Sequence, residues 1–335
     1  MKQLRCASIG CGVIANQLTQ ALEKKGTKLY SVANRTYDKA LEFAKQYKIE
    51  KVYKDIDEIF LDKNVDIIYI STPHNTHISY LLKALENKKH VLCEKAITLN
   101  SKELELAIKT AKKNDVILAE AMTIYHMPIY KELNKIIISK NLGKLKFIQM
   151  NFGSYKDYDM NNRFFNKNLA GGALLDIGVY ALSFCRWFLS SNPTQISSQV
   201  KYAPSGVDEQ VGILLMNEEN EMATISLTLH AKQPKRGMIS FENGFIEIYD
   251  YPRAQEATIT FTENGYKENL QIGKMDDALF YEVSNMEEAI KMKQLQTDET
   301  SKKIENLIHI KYTQDVMEIM TKLRNDWNLK YPEEE

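Results

Sequence analysis

The sequence predicts two layered folds in one chain: an α/β domain over residues 1–120, and an α+β domain with a large, mainly antiparallel sheet over residues 121–335. Three observations carry this reading. Short apolar runs alternate with helical stretches through the first third of the chain. After residue 119 the alternation gives way to one strand after another. A length of 335 residues is also enough for two cores, at about 100–200 residues per domain.

In chain order, the strands of the first domain are read at 4–9, 29–33, 65–70, 90–93 and 116–119. Strands separated by helices pair in parallel, because each crossover returns the chain to the same end of the sheet. Helix starts carry ordinary signals. In Asn100-Ser101-Lys102-Glu103 a cap residue is followed three positions later by glutamate. From Pro128 a helix leads into strands at 146–152, 196–202, 211–216, 221–230, 235–242, 245–249 and 257–262. Asn243-Gly244 and Asn264-Gly265 favour positive φ and read as hairpin turns. Helices near 172–190, 278–292 and 302–324 are expected over one face of this sheet. The other face is left for self-association into a homodimer or homotetramer.

Lysine plus arginine and aspartate plus glutamate number 44 each, a formal net charge of +0. Such a balance sets up no field that gathers nucleic acid or an anionic membrane, so neither is an expected partner. Cys6, Cys11, Cys93 and Cys185 show no paired metal-ligand spacing and read as free thiols in a reducing compartment. Residues Met1 to Arg5 lead into a strand with no hydrophobic signal core, and no uninterrupted apolar run reaches about 18 residues. These features point to the cytoplasm and to a small-molecule ligand.

After the first strand comes Ile9-Gly10-Cys11-Gly12-Val13-Ile14-Ala15. Glycines at the first and third positions permit a tight turn and the close approach of a pyrophosphate, whose charge is met by free amides at the next helix start. Gly10, Cys11, Gly12, Val13 and Ile14 are therefore expected dinucleotide contacts, and the first domain reads as a Rossmann fold. Where an acidic residue would hold the ribose hydroxyls of NAD, the second strand ends Ala33-Asn34-Arg35-Thr36. Arginine cannot accept those protons but suits a 2′-phosphate, with Lys39 as a second charge, so NADP is favoured. The alternative is NAD held through Asn34, with Arg35 stacked on adenine or facing solvent.

Ser71-Thr72-Pro73-His74-Asn75-Thr76-His77 follows a strand and falls at the sheet edge where ligands bind. Ser71, Thr72, Pro73, His74, Asn75 and His77 are expected to line the cofactor, together with Glu94 and Lys95 at the end of the next strand. Two histidines three apart, lacking a cysteine or carboxylate partner at suitable spacing, do not make a metal site. Lys95 ends the apolar strand of His90-Val91-Leu92-Cys93-Glu94-Lys95-Ala96 beside Glu94. A lysine there is poorly placed for packing and well placed to exchange a proton with a substrate oxygen, more readily in a desolvated site. The structural alternative is a solvent-facing lysine paired to Glu94. In Gly171-Gly172-Ala173-Leu174-Leu175-Asp176-Ile177-Gly178-Val179-Tyr180, Asp176 and Tyr180 are four apart among apolar neighbours and share a helical face. Dipole compensation for Asp176 and packing for Tyr180 are the competing readings.

On these residues the chain resembles the glucose–fructose oxidoreductase, inositol dehydrogenase and rhizopine-catabolism (Gfo/Idh/MocA) family over essentially its whole length. It is most similar to the dimeric dihydrodiol dehydrogenase branch, through Ala33-Asn34-Arg35, residues 170–180 and Gly206-Val207-Asp208-Glu209. The resemblance implies an NADP-linked oxidoreductase acting on a small sugar, polyol or diol, with the nicotinamide in a cleft between domains. It also implies proton transfer shared by Lys95 and Tyr180, and substrate orientation by Asp176. The chain departs from the family pattern in having Ala96 where many members have proline and Tyr180 where many have histidine. A non-catalytic scaffold sensing dinucleotide or sugar is the rival reading, as is an enzyme that recycles a tightly held cofactor between two sugars. Substrate choice is expected to lie in the loops at 155–165 and 231–237, with Arg163, Tyr125 and His126 as further candidates.

Overall fold

The computed structural model describes residues 3–295 and 300–335; Met1 and Lys2 of the amino-terminal segment discussed above lie outside them. The chain divides into two compact units, one of residues 1–122 and 279–311, the other of residues 123–278 and 312–335.

The first unit runs β1 (Cys6–Ile9), α1 (Val13–Lys24), β2 (Leu29–Ala33), α2 (Tyr37–Tyr47), β3 (Lys51–Tyr53), α3 (Asp57–Leu61), β4 (Ile67–Ile70), α4 (His77–Glu86), β5 (His90–Glu94), α5 (Ser101–Lys113) and β6 (Leu118–Ala121). The six strands pair in parallel in the order β3-β2-β1-β4-β5-β6. β1, β2 and β4 are buried along their whole length, as a sheet covered on both faces requires. Strand order reverses between β1 and β4, and the carboxyl ends of these strands form the edge where such sheets bind ligands. β3 has only Tyr53 buried and is too short and polar to show in the apolar pattern. At the head of α5 the side chain of Asn100 accepts from the Glu103 amide at 3.0 Å, while the Glu103 carboxylate accepts from the Leu99 amide at 3.0 Å.

The second unit begins with α6 (Thr123–His126), α7 (Pro128–Ser139) and β7 (Leu145–Gly153), followed by α8 (Val179–Phe188). Its sheet is completed by β8 (Gln195–Tyr202), β9 (Asp208–Met216), β10 (Met222–Thr228), β11 (Gln233–Phe241), β12 (Gly244–Tyr249), β13 (Glu256–Phe261) and β14 (Lys267–Gln271). Eight strands lie in the order β14-β13-β12-β11-β7-β10-β9-β8, antiparallel except for the parallel pair of β7 and β10. Alternation is clean: Ile148, Met150 and Phe152 of β7, Ile213 and Leu215 of β9, and Ile239 of β11 are buried on one face. Each such side chain contributes about 1.5–3 kcal/mol by leaving water. β14, whose residues are polar and mostly exposed, is an edge strand with no apolar run to announce it. Of the two predicted positive-φ turns only Asn264-Gly265 has one, at Gly265 (φ 68°); neither Asn243 nor Gly244 does.

Two expectations about helices need correction. Of the helices assigned to the second sheet, α9 (Ala278–Leu295) and α10 (Thr300–Ile308) belong almost wholly to the first unit. Lys25, which caps the end of α1, donates to Ser284 at 3.0 Å and lies 3.4 Å from Glu287, and Lys293 pairs with Asp115. α8 and α11 (Ile310–Asp326) serve the second unit, where Asp315 accepts from Arg186 of α8 at 2.8 Å. In addition, the stretch Lys167–Phe188 is long and apolar enough by composition to cross a membrane, yet 78% of its most apolar window is buried inside the protein. It is a core segment, broken at Ala170, which adopts a left-handed conformation.

Candidate active site

The glycine turn is shaped by a neighbouring strand end as much as by any ligand. Gly10 follows β1 at φ 102°, and a Cβ there would stand 2.8 Å from Ser71 Oγ and 2.9 Å from Ser71 O. The Ser71 amide in turn donates to Ile9 O at 3.0 Å, tying β1 to the segment after β4. Gly12 is the N-cap residue of α1, and nothing lies within 4 Å of where its Cβ would be. No side chain caps α1 and no acidic residue sits in its first turn, so the helix start and its dipole are left for an anion. Val13 is 79% exposed, and Ile14 is half-buried. Cys11, between the glycines, is half-buried; desolvation raises its thiol above the ordinary value against the opposing pull of Lys39. Buried Cys6 and Cys93 are pushed up by desolvation too, Cys6 to about 12, so both are inert thiols. These residues fit the pyrophosphate of a dinucleotide.

Beyond β2, Asn34 donates through Nδ2 to Thr36 O at 2.9 Å, which fixes the turn. Arg35 and Lys39 are both exposed. No carboxylate stands at the end of β2, where a ribose diol would need an acceptor, and the nearest cations suit a phosphate.

Between β4 and α4, Ser71, Thr72, His74 and Asn75 are half-buried and Pro73 is exposed. This segment is laced to the end of β5. His74 Nε2 lies 3.1 Å from Lys95 O, His77 Nδ1 lies 3.0 Å from Ala96 O, and His77 Nε2 lies 2.8 Å from Thr72 O. His77 begins α4 as read, but as a cofactor contact it is corrected. It is wholly buried, with both ring nitrogens facing carbonyls of the fold, and desolvation lowers its basicity. It braces the two loops. The Lys95–Ala96 peptide is cis. Beyond it, the Ile97 amide donates to the buried Glu120 carboxylate at 3.1 Å. Glu94 accepts a hydrogen bond from the buried Tyr69 hydroxyl, whose acidity is suppressed first by burial and then by this carboxylate. Lys95 itself is half-buried at the carboxyl end of β5. Among the described residues, no group of three or more His, Cys, Asp or Glu side chains is arranged to hold a metal ion.

In the second unit, Asp176 lies in a π-helical turn, Leu174–Gly178, and Tyr180 in the first turn of α8. The sequence reading had one regular helix here. The irregular turn arises where the chain is pinned: the Gly172 amide donates to Phe164 O at 2.9 Å and the Gly171 amide to Asn166 O at 3.0 Å. A Cβ on Gly171 would lie 2.7 Å from Phe164 O, so the glycine pair admits a loop backbone rather than a ligand. Tyr331 donates to Gly171 O at 2.7 Å, and the buried Asp208 accepts from the Leu174 amide at 2.6 Å. Burial raises the Asp208 carboxyl to about 7. Gly172 (φ 127°) is required, since a Cβ there would meet Asp208 Oδ1 at 2.1 Å. From Gly171 to Leu182 every residue is buried except Asp176 and Tyr180, which are half-buried. The two side chains therefore share the one open side of this segment, as their spacing predicts.

Sequence reasoning missed several neighbours. Asp208 was visible only as part of a resemblance, and Tyr331 gave no signal at all. Phe152 has its ring 6.3 Å from that of Tyr180. Of the candidate loop residues, Arg163 lies over Phe164 at 4.5 Å, whereas Tyr125 and His126 are buried, Tyr125 against Trp187 and Tyr312. A depression of about 520 Å³ lined by Gln199, Lys201, Gln210, Gly212 and Ser226 lies on the sheet face away from α8, the helix that carries Tyr180.

Residues 4–122 match a family model described as an oxidoreductase family with an NAD-binding Rossmann fold, and residues 130–247 match the GFO/IDH/MocA C-terminal domain. The chain is 32% identical to trans-1,2-dihydrobenzene-1,2-diol dehydrogenase of Xenopus tropicalis over 241 residues, covering 71% of this chain and 72% of that one. It is 28% identical to the scyllo-inositol 2-dehydrogenase (NADP(+)) IolU of Bacillus subtilis over 310 residues, 89% of this chain and 92% of that one. In fold it is similar to KijD10, a 3-ketoreductase of Actinomadura kijaniata solved with NADP and TDP-benzene, at a TM-score of 0.83 and 18% identity over 97% of this chain and 98% of that one. With the uncapped glycine turn, the lysine closing β5 and the Asp176–Tyr180 pair in place, the chain belongs to the GFO/IDH/MocA family of oxidoreductases with an NAD-binding Rossmann fold.

Proposed function

We propose that the protein is an NADP-preferring dehydrogenase or reductase acting on a CH–OH group of a small sugar, polyol or vicinal diol. The observation that carries this is Lys95, half-buried at the carboxyl end of β5 on the same sheet edge as the uncapped helix start at Gly12. The bound nicotinamide supplies or accepts hydride. The chain's own residues manage the proton: in oxidation Lys95 or Tyr180 takes it from the substrate hydroxyl, in reduction the same group returns it, and Asp176 orients the substrate. Relatives named for a diol and for an inositol support the substrate class, and Arg35 with Lys39 supports NADP over NAD.

The test is absorbance at the reduced-nicotinamide band across sugars, polyols, diols and dicarbonyls, with NADP(H) and NAD(H), wild type beside Lys95→Ala. Lys95→Ala is expected to lower kcat by about 10²–10⁴-fold while leaving cofactor affinity in place. Unchanged turnover would remove Lys95 from the mechanism.

The reading extends to a cytoplasmic homo-oligomer. The outer face of the second sheet carries Leu214, 40% exposed, with Phe147, Met222, Met238 and Phe245 half-buried across neighbouring strands. A second copy would cover this row, and sedimentation at micromolar concentration would report a dimer or tetramer.

A further inference from the structure

Strand register puts one more cation on the side of the sheet where Tyr180 works. In β11, Gly237 pairs with Met150 of β7, and a Cβ on Gly237 would meet the Phe184 ring at 2.6 Å, so this position faces α8. Side chains two apart on a strand share a face. Lys235, two residues before Gly237, therefore turns toward the same helix, as does Phe152, two residues after Met150. The contacts agree: Lys235 Nζ sits 5.4 Å from the centre of the Phe152 ring, and that ring lies 6.3 Å from the Tyr180 ring. Tyr180 stands one turn before Phe184 on α8, over the end of the strands where Phe152 and Lys235 emerge. The pairing of β7 and β11 is irregular between Gln233 and Arg236, so the contact with Phe152 is what fixes the side on which Lys235 lies. Lys235 is only loosely neutralised: its nearest carboxylate, Asp250, is 3.9 Å away, and both side chains are substantially exposed.

We infer that Lys235 is a specificity-determining residue, whose ammonium donates a hydrogen bond to a second oxygen of the substrate while Tyr180 addresses the reacting one. Tyr180 and Lys235 both flank the Phe152 ring, and in this assignment a small molecule with two neighbouring oxygens engages both, whereas a mono-alcohol engages one. The assignment rests on the function proposed above and narrows its substrate class to molecules with an oxygen substituent beside the reacting carbon. Hydroxyl and carboxylate substituents share this acceptor chemistry.

The test uses the NADP-loaded full chain, wild type and Lys235→Met, with trans-cyclohexane-1,2-diol and cyclohexanol as probes. Binding is read by calorimetry and turnover by nicotinamide absorbance. The wild type is expected to bind the diol about tenfold more tightly than the mono-alcohol, the size of one charge-assisted hydrogen bond. Lys235→Met should erase that difference, raising KM for the diol about tenfold with kcat nearly unchanged, and Lys235→Arg, which keeps a donor, should restore most of it. A wild type that does not prefer the diol, or a preference that survives in Lys235→Met, overturns the assignment whether or not either probe is turned over. A Lys235-dependent binding preference without turnover would instead count against the dehydrogenase reading and leave Lys235 in its role.

Discussion

In the first unit the groups that matter are held by the neighbouring strand ends: the glycine turn is tied to Ser71 by backbone, and the end of β5 is tied by the rings of His74 and His77 to the loop after β4. In the second unit the corresponding segment is held by side chains that come from far along the chain, Asp208 on the Leu174 amide and Tyr331 on Gly171 O. The first arrangement follows from the order of strands in one parallel sheet, whereas the second depends on two buried side chains, Asp208 and Tyr331, that a single substitution can remove.

The sharpest way to break the contrast is acidity. Asp208 is raised by burial from an ordinary 3.8 to about 7, so its contribution to stability is fully present below pH 3.8 and lost as pH rises through 7, about 4 kcal/mol at most. His90 runs the other way. Desolvation holds it at about 4, against an ordinary 6.5, while its Nδ1 accepts from the Ile117 amide at 2.9 Å. Its contribution is present above pH 6.5 and lost as pH falls through 4, about 3 kcal/mol. Denaturant unfolding at a series of pH values should show these opposite slopes. Asp208→Asn should flatten the loss toward pH 7, and His90→Gln the loss toward pH 4; slopes unchanged in both variants would refute the assignment of the slopes to these two groups.

A smaller effect is expected at the cradle. Gly10→Ala forces a side chain into φ 102° against Ser71 and should cost about 1–3 kcal/mol of stability, with weakened dinucleotide binding in a fluorescence titration. Native stability in that variant would mean the turn relaxes. Smallest is Arg35→Ala, expected to raise KM for NADP about tenfold and leave NAD unaffected, because the exposed guanidinium would make one charge-assisted contact with a 2′-phosphate. Equal losses with both cofactors would show Arg35 stacking on adenine instead.

How much was legible follows the same division. Strand ends at Gly10, Asn34, Ser71 and Lys95 could be placed from the sequence because a parallel sheet aligns them by topology alone. The spacing of Asp176 and Tyr180 was also readable, since it needs only local helical geometry. The π turn at Leu174–Gly178 was not, because its cause lies in Phe164, Asp208 and Tyr331, remote in sequence. Nor was the role of Lys235, which needs the register of β11 against β7. The destination of α9 and α10 was equally hidden, since nothing local tells a helix which of two sheets it will cover. His77 looked like a ligand contact because its position at a strand-to-helix junction is shared by residues that line a cofactor and residues that brace the loop beneath it.

The return of residues 279–311 to the first unit has a consequence for how the protein is made. Lys25 finds Ser284 across 259 positions and Lys293 finds Asp115 across 178. Emerging from a ribosome, the first unit must wait for helices synthesised after the whole intervening sheet, and the second unit waits longer still, for residues 312–335, which bring Asp315 to Arg186 and Tyr331 to Gly171. Contacts of such separation are slow to form, and a fragment ending at residue 122 would expose the surface that α9 and α10 cover. Neither unit is therefore complete until the carboxyl-terminal helices have been made.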